Sequence, residues 1–309
     1  MFRYRILALM CIGILLCTGT NPVNSADPGL QTELVFIHHS SGEDWLNRGL
    51  EAALEEKSYI TDVNDITYYM DVAHDTGRPD SIGGDAGDQT DMQYWILWFN
   101  DYLEHVKVHG GSNGIIMFKS CFPNSHVASA GAEPGDPFSA TRTIANNKAI
   151  FRHPDGPGHT YTPYPYTYTY RPLEDIFADN PNVLFIFVTA PPLVRGSTSA
   201  EAAANARTFN NWVKNDWLNA YNAAHPGMNN VAVFDWFDVL AYGSTGAYPN
   251  RLRDDYATNA SDSHPNLAAD QDSTEVFATN SSNFIDTAWA LFNPLPLDKK
   301  TYLPLLKRP

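Results

Sequence analysis

Short apolar runs, each about the length of a buried strand, recur along this chain between stretches whose apolar residues repeat at three and four, and this alternation restricts the fold more than any other feature. Leu34–Ile37, Gly114–Phe118 and Val183–Thr189 read as strands, and Val231–Phe234 as a fourth. Runs that are apolar throughout belong to strands covered on both faces, the condition of a parallel sheet between helical layers. Between the runs, Trp45, Leu46, Leu50, Ala53 and Leu54 fall on one helical face, and Trp95, Trp98, Phe99, Tyr102 and Leu103 on another. A helix from about Ser199 to Tyr221 would bury Ala203, Ala206, Phe209, Trp212, Val213 and Trp217, and a last one from roughly Asp272 to Phe292 would close the domain. The expected class is α/β, one domain over residues 27–293 with a mainly parallel sheet.

The ends of the chain read differently. Arg3 and Arg5, an apolar stretch from Ile6 to Cys17 and then Asn24-Ser25-Ala26 have the layout of a signal peptide cleaved after Ala26. The stretch is shorter than the roughly 20 residues that span a bilayer, so no membrane insertion is expected after cleavage. Leu16 is bulkier than the small residue that lipoprotein processing favours before a cysteine such as Cys17. The expected location is secreted or in the cell envelope. Cleavage would remove Cys11 and Cys17 and leave Cys121 alone, so stability would rest on the core rather than on a disulfide. The formal charge, 20 minus 35 or −15, repels phosphate backbones, which argues against a nucleic-acid partner. Two segments interrupt the pattern: the Gly- and Pro-rich 131–137, and 156–172 with its run of tyrosines and prolines from Tyr161 to Tyr170. The prolines exclude a central strand, so the tyrosine run reads as an extended surface loop that either packs on the body or stacks on a sugar ring. Residues 294–309 form a Pro- and Leu-rich tail.

Two short segments carry candidate chemistry. The first apolar run ends at His38-His39, and Ser40-Ser41-Gly42 then turns into a helix beginning near Glu43. Ser40 is thereby placed at the carboxyl edge of a strand, where ligands of open parallel sheets bind and where the unpaired N–H groups of a helix start can stabilise an oxyanion. Ser41-Gly42-Glu43-Asp44 fits a capping box, with Ser41 as the cap and Ser40 as the nucleophile; capping alone is the competing reading for both serines. Far downstream, Asp262-Ser263-His264-Pro265-Asn266 supplies an acid and an imidazole. A hydroxyl needs a base within hydrogen-bond reach, and the base needs an acid to fix its tautomer. Ser40, His264 and Asp262 offer that set.

The strand-Ser-turn-helix, the late Asp-His pair and the alternating organisation resemble the SGNH (GDSL-type) hydrolase superfamily, in a divergent branch. The resemblance implies a flavodoxin-like three-layer α/β/α sandwich that cleaves esters without a cofactor. It also implies an oxyanion hole formed by the Ser40 N–H, the Gly87 N–H in Ala86-Gly87-Asp88-Gln89-Thr90, and the Asn124 side-chain amide in Phe118-Lys119-Ser120-Cys121-Phe122-Pro123-Asn124-Ser125. The chain departs from the family where His38-His39 replaces Gly-Asp before the serine, and where Asp262 and His264 are two rather than three apart. An exported setting and the aromatic loop suggest an acylated carbohydrate or another small ester as substrate.

Other residues have competing readings. Cys121 could be a nucleophile, or an inert buried thiol among Phe118, Phe122 and Pro123. His38 and His39 could join His74, Asp75 or His264 around a metal, but neighbouring strand residues face opposite sides, so one should line the site and the other pack inward. No metal is expected. Ser41 and Lys119 are further candidates for the site lining, with Lys119 either orienting substrate or pairing with an acid. Asp88 and Asp91 read as acids complementing a helix dipole. The competing function is a non-catalytic carbohydrate-binding or surface-interaction protein on a decayed hydrolase scaffold.

Overall fold

The computed structural model describes residues 31–66, 91–108, 113–162 and 169–292. Its centre is a five-stranded parallel sheet in the order β2-β1-β3-β4-β5, formed by β1 (Thr32–Ile37), β2 (Ile60–Ile66), β3 (Asn113–Lys119), β4 (Leu184–Val188) and β5 (Val231–Phe234). The four strands expected from the apolar runs are all present. β2 has no apolar signature, because its sequence Ile-Thr-Asp-Val-Asn-Asp-Ile is largely polar. It lies at one end of the strand order, where burial on both faces is not required, and Thr61, Asp62 and Asp65 are exposed.

Side chains of each central strand alternate between two cores. Val35, Ile37, Ile116, Phe118, Phe185 and Phe187 enter one, while Leu34, Phe36, Ile115, Met117, Leu184 and Ile186 enter the other. Helices cover both, giving the three-layer α/β sandwich. In chain order they are α1 (Ser41–Trp45), α2 (Glu51–Glu55), α3 (Trp95–Val108), α4 (Ile144–Phe151), α5 (Leu173–Asp179), α6 (Ala200–Asn211), α7 (Leu218–Ala224), α8 (Trp236–Leu240), α9 (Leu267–Thr274) and α10 (Phe284–Leu291). α1 and α2 are joined through a kink at Arg48 and Gly49, yet Trp45, Leu46, Leu50, Ala53 and Leu54 all remain buried, as their spacing predicts. α6 begins at Ser199, whose hydroxyl accepts the Ala202 N–H, and runs through a π-helical turn at Trp212–Trp217 into α7. The expected final helix is two: α9, extended by a π-helical turn at Glu275–Thr279, and α10, separated at Asn280-Ser281-Ser282-Asn283. Asn283 accepts the Asp286 N–H and so starts a new helix instead of continuing the old one.

Segment 131–137 is outside any helix or strand, as its composition predicts. Of the tyrosine-rich loop, Tyr161 and Tyr170 exchange backbone hydrogen bonds and turn their rings onto Phe138; residues 163–168 lie outside the described residues, as do the expected signal peptide and the tail 294–309. No helix among the described residues is long and apolar enough to cross a membrane.

The aromatic centre of one core is dense. Phe118 lies 5.6 Å from Phe187, 5.2 Å from Trp95 and 4.9 Å from Phe99, measured between ring centroids. Phe118→Ala would leave a cavity that β3, β4 and α3 cannot close, and it should lower unfolding free energy by about 3–5 kcal/mol in urea denaturation.

Candidate active site

The chain leaves β1 at Ile37 and makes a tight turn into α1. Ser40 occupies that turn at φ 41° and ψ −88°, a conformation rare for a residue with a side chain and costing on the order of 1–3 kcal/mol. Its surroundings impose it. Lys119, at the end of neighbouring β3 and without solvent exposure, donates from Nζ to the His39 carbonyl at 3.0 Å and to Ser41 Oγ at 3.0 Å, holding the residues on either side of Ser40. The Gly42 N–H closes the turn onto the His39 carbonyl at 3.0 Å. Gly42 is required by contact: a Cβ there would stand 2.4 Å from His38 Cβ and 2.7 Å from its Cγ, inside any tolerable separation.

The strained turn aims the Ser40 hydroxyl away from the helix. Ser40 is the cap residue by position but makes no capping hydrogen bond with its side chain, and its Oγ lies 2.5 Å from His264 Nε2. His264 Nδ1 lies 2.7 Å from Asp262 Oδ1, and the same oxygen accepts the His264 N–H at 3.0 Å. Serine, imidazole and carboxylate are thus in one line across 224 residues of sequence. The two-residue spacing has a local cause. Asp262 and His264 belong to a strand, β7 (Asp262–Pro265), which pairs antiparallel with β6 (Ala257–Asn259), and residues i and i+2 of a strand share a face. Ser263, between them, turns the other way, is buried, and accepts the Val194 N–H at 3.1 Å. Asn266 then starts α9 by accepting the Ala269 N–H, while its Nδ2 reaches the Asp255 and Ala257 carbonyls. The hydrogen bonds from His264, backbone first and ring second, hold the Asp262 carboxyl below the usual carboxylate range, so it carries its charge at neutral pH.

The other expected lining residues separate. His39 is partly exposed. His38 is fully buried against Phe36 and Gly42, with Nε2 3.6 Å from Asp65 Oδ2, and burial pushes its imidazole down against the opposing pull of Asp65. Both histidines lie beyond the end of β1 at Ile37, His38 packed into the body and His39 partly exposed. Ser41 does not cap the helix as the capping-box pattern predicts. Its hydroxyl is buried, accepts from Lys119 and lies 3.5 Å from Cys121 Sγ, because a buried ammonium left without acceptors is costly. Lys119 and Ser41 stand behind the serine turn rather than lining a pocket. Lys119 also sits over the Trp236 ring, 5.5 Å from its centroid. Cys121 is a buried thiol.

Asn124 lies in the turn after β3 (Phe122–Ser125), whose first residue packs its ring edge-on against His264 at 4.8 Å. Its amide is tightly held: Nδ2 donates to Asp91 Oδ1, and Oδ1 accepts from Arg142 Nε at 2.6 Å. Arg142 also bonds Asp91 Oδ2 at 3.0 Å, and Ser120 Oγ donates to Asp91 at 3.3 Å. Asp91 is therefore a buried hub joining the start of α3 to the turn after β3, not simply a dipole complement, since it makes no capping hydrogen bond with its side chain. Gly87, Asp88, His74 and Asp75 lie outside the described residues. A surface cleft of about 290 Å³, lined by Val194, Arg195, Asp254 and residues 257–260, adjoins the hairpin that carries Asp262 and His264.

A second brace has no signature in the sequence. Arg48, swung out by the kink after α1, donates from Nη1 to the Pro265 carbonyl at 3.0 Å and to Asp270 Oδ2 at 2.8 Å, tying the serine helix to the histidine loop. The Asp270 side chain has no exposure, and its Oδ1 has no hydrogen-bond partner among the described residues. Burial pushes its carboxyl up to about 7, with Arg48 pulling the other way. Because the folded value is raised, the folded chain holds a proton there that the unfolded chain has released between its ordinary value near 4 and about 7. Stability from this group is full below that window, falls through it as pH rises, and is flat above it. Asp270→Asn should flatten this part of the profile, read as Tm against pH, by removing a fall of up to about 1.4 kcal/mol per pH unit, the slope that one differentially bound proton gives.

No protein-family model matches the chain, and no significantly similar curated protein is found.

Proposed function

We propose that this protein is an exported serine hydrolase of the SGNH type, acting on carboxylic esters through Ser40, His264 and Asp262 without a cofactor. The observation that carries the reading is the line of contacts from Ser40 Oγ to His264 Nε2 at 2.5 Å and from His264 Nδ1 to Asp262 at 2.7 Å. A cap or surface serine has no need of a strained backbone, a charged carboxylate two residues from its histidine, and a buried lysine holding both its neighbours.

In this mechanism Ser40 Oγ attacks the ester carbonyl carbon while His264 Nε2 takes the hydroxyl proton; Asp262 holds the ring and stabilises its charged form. The tetrahedral oxyanion collapses, His264 returns the proton to the leaving alkoxide, and an acyl-serine remains. Water, deprotonated by His264, then attacks the acyl carbon, and the carboxylic acid and free Ser40 are released. The Ser40 N–H stands at the start of α1, where the helix offers no acceptor, and so can donate to the oxyanion. Asn124 keeps an Nδ2 hydrogen beyond the one given to Asp91, and the Asp91–Arg142 network fixes the amide plane from which it would donate. Gly87 would supply the remaining donor. The substrate class we favour is an acylated carbohydrate or a small ester, in keeping with the acidic, exported character of the chain and its aromatic loop.

Labelling of the full chain with a fluorophosphonate probe, followed by mass spectrometry, should give one adduct at Ser40 that disappears in Ser40→Ala and in His264→Ala. A folded protein that takes no adduct would overturn the reading in favour of a binding scaffold. On a short-chain chromogenic ester, Asn124→Ala should lower kcat about 100- to 1000-fold with little change in KM, the usual cost of one oxyanion donor. Thermal melting run alongside separates this from loss of the Asp91 network.

A further inference from the structure

Downstream of α4 the chain makes a short loop whose side chains take no part in the site above. Its sequence, His153-Pro154-Asp155-Gly156-Pro157-Gly158-His159, brings two imidazoles and a carboxylate together, with one ligand atom from each lying within 4.8 Å of the others. We propose that His153, Asp155 and His159 form a binding site for a divalent first-row transition ion of the zinc class.

The separations suit shared coordination better than direct bonding. His153 Nδ1 and Asp155 Oδ2 are 3.7 Å apart, too far for a hydrogen bond, whereas two ligands each about 2.0–2.1 Å from one ion in tetrahedral geometry stand about 3.4 Å apart. His153 Nδ1 accepts the Asp155 N–H at 3.1 Å, so an ion binding at that nitrogen displaces a single N–H. The His153 and His159 rings lie nearly parallel, 21° between planes and 5.3 Å between centroids, so small side-chain rotations bring both nitrogens to one centre. The backbone is held for this purpose. The Gly156 N–H donates to the His153 carbonyl at 2.9 Å and the Gly158 N–H to Asp175 Oδ2 at 2.9 Å, and both glycines have positive φ, 97° and 78°, which lets the loop double back. His153 is further seated against the Tyr161 ring at 4.5 Å.

The donor set selects the metal. Two imidazole nitrogens and one carboxylate are poor for calcium and magnesium, which take oxygen ligands, and suit Zn²⁺, Co²⁺, Ni²⁺ or Cu²⁺. Asp155 and His159 are exposed, so the outward positions of the ion remain for water or for a donor from outside, and a chain of net charge −15 attracts the cation. The ion would pin the start of the tyrosine-rich loop to the end of α4.

The test is titration of the full chain, free of any histidine tag and stripped with a chelator, with Co²⁺ while its ligand-field absorption is recorded. The expected result is one saturating equivalent that Zn²⁺ displaces, with affinity in His153→Ala/His159→Ala falling by more than the roughly 10- to 100-fold typical of losing an outer-sphere partner. The exposed single variant His159→Gln, which leaves packing intact, should show the same loss with an unchanged circular dichroism spectrum. Absence of saturable binding, or a band that survives His159→Gln and the double substitution unchanged, would overturn the proposal.

Discussion

The ammonium of Lys119 is the constraint on which the candidate site depends. A buried lysine is costly unless each of its hydrogens finds an acceptor, and here the acceptors include the carbonyl before Ser40 and the hydroxyl after it. Satisfying the charge and bending the backbone are the same event. The cost of desolvating Lys119 and the strain at Ser40 are accepted together because neither can relax without exposing the other. The position follows from the sheet: β3 pairs with β1 in parallel register, so the residue ending β3 arrives beside the residues ending β1.

Parallel topology then explains why the remaining groups gather at one edge. Every β strand of the central sheet points the same way, so the turns after β1 and β3 open onto a common rim. The β6–β7 hairpin brings His264 to that rim and is held from below by Ser263, from behind by Asn266, and from the serine side by Arg48. These anchors are hydrogen bonds between side chains and backbone, with Val194 and Arg48 reaching the hairpin from distant parts of the chain, which is what fixes an imidazole to the precision proton transfer demands.

Much of the fold is legible in the sequence because its causes are local. Continuous apolar runs announce β1, β3, β4 and β5, and the spacing of Trp45, Leu50 and Leu54 announces a helical face even though the helix itself is kinked. β2 escapes because an outer strand needs few apolar residues, and the split between α9 and α10 escapes because Asn283 caps a helix only once the chain has already turned. At the site, Ser40, Asp262 and His264 can be read from their flanking patterns. Lys119 can be noticed but not assigned, since its partners are contributed by another strand. Arg48, Asp270 and Arg142 carry no sequence signature, and Asp91 only that of an acid at a helix start: an arginine at a kink or an aspartate before a helix looks like ordinary surface until tertiary contacts bury it.

The polar character of β2 has a consequence for crowded solutions. A parallel sheet that ends in an apolar strand offers a template on which a second molecule can dock edge to edge and seed cross-molecular pairing. Here the terminal strand presents Asp62 and Asp65 to solvent on a chain already far below neutrality. An approaching copy would have to bring like charges together and strip water from carboxylates before a single interstrand hydrogen bond formed. The residues that hide this strand from a hydropathy reading are the ones that guard this edge of the sheet, whereas the other outer strand, β5, is apolar and largely buried.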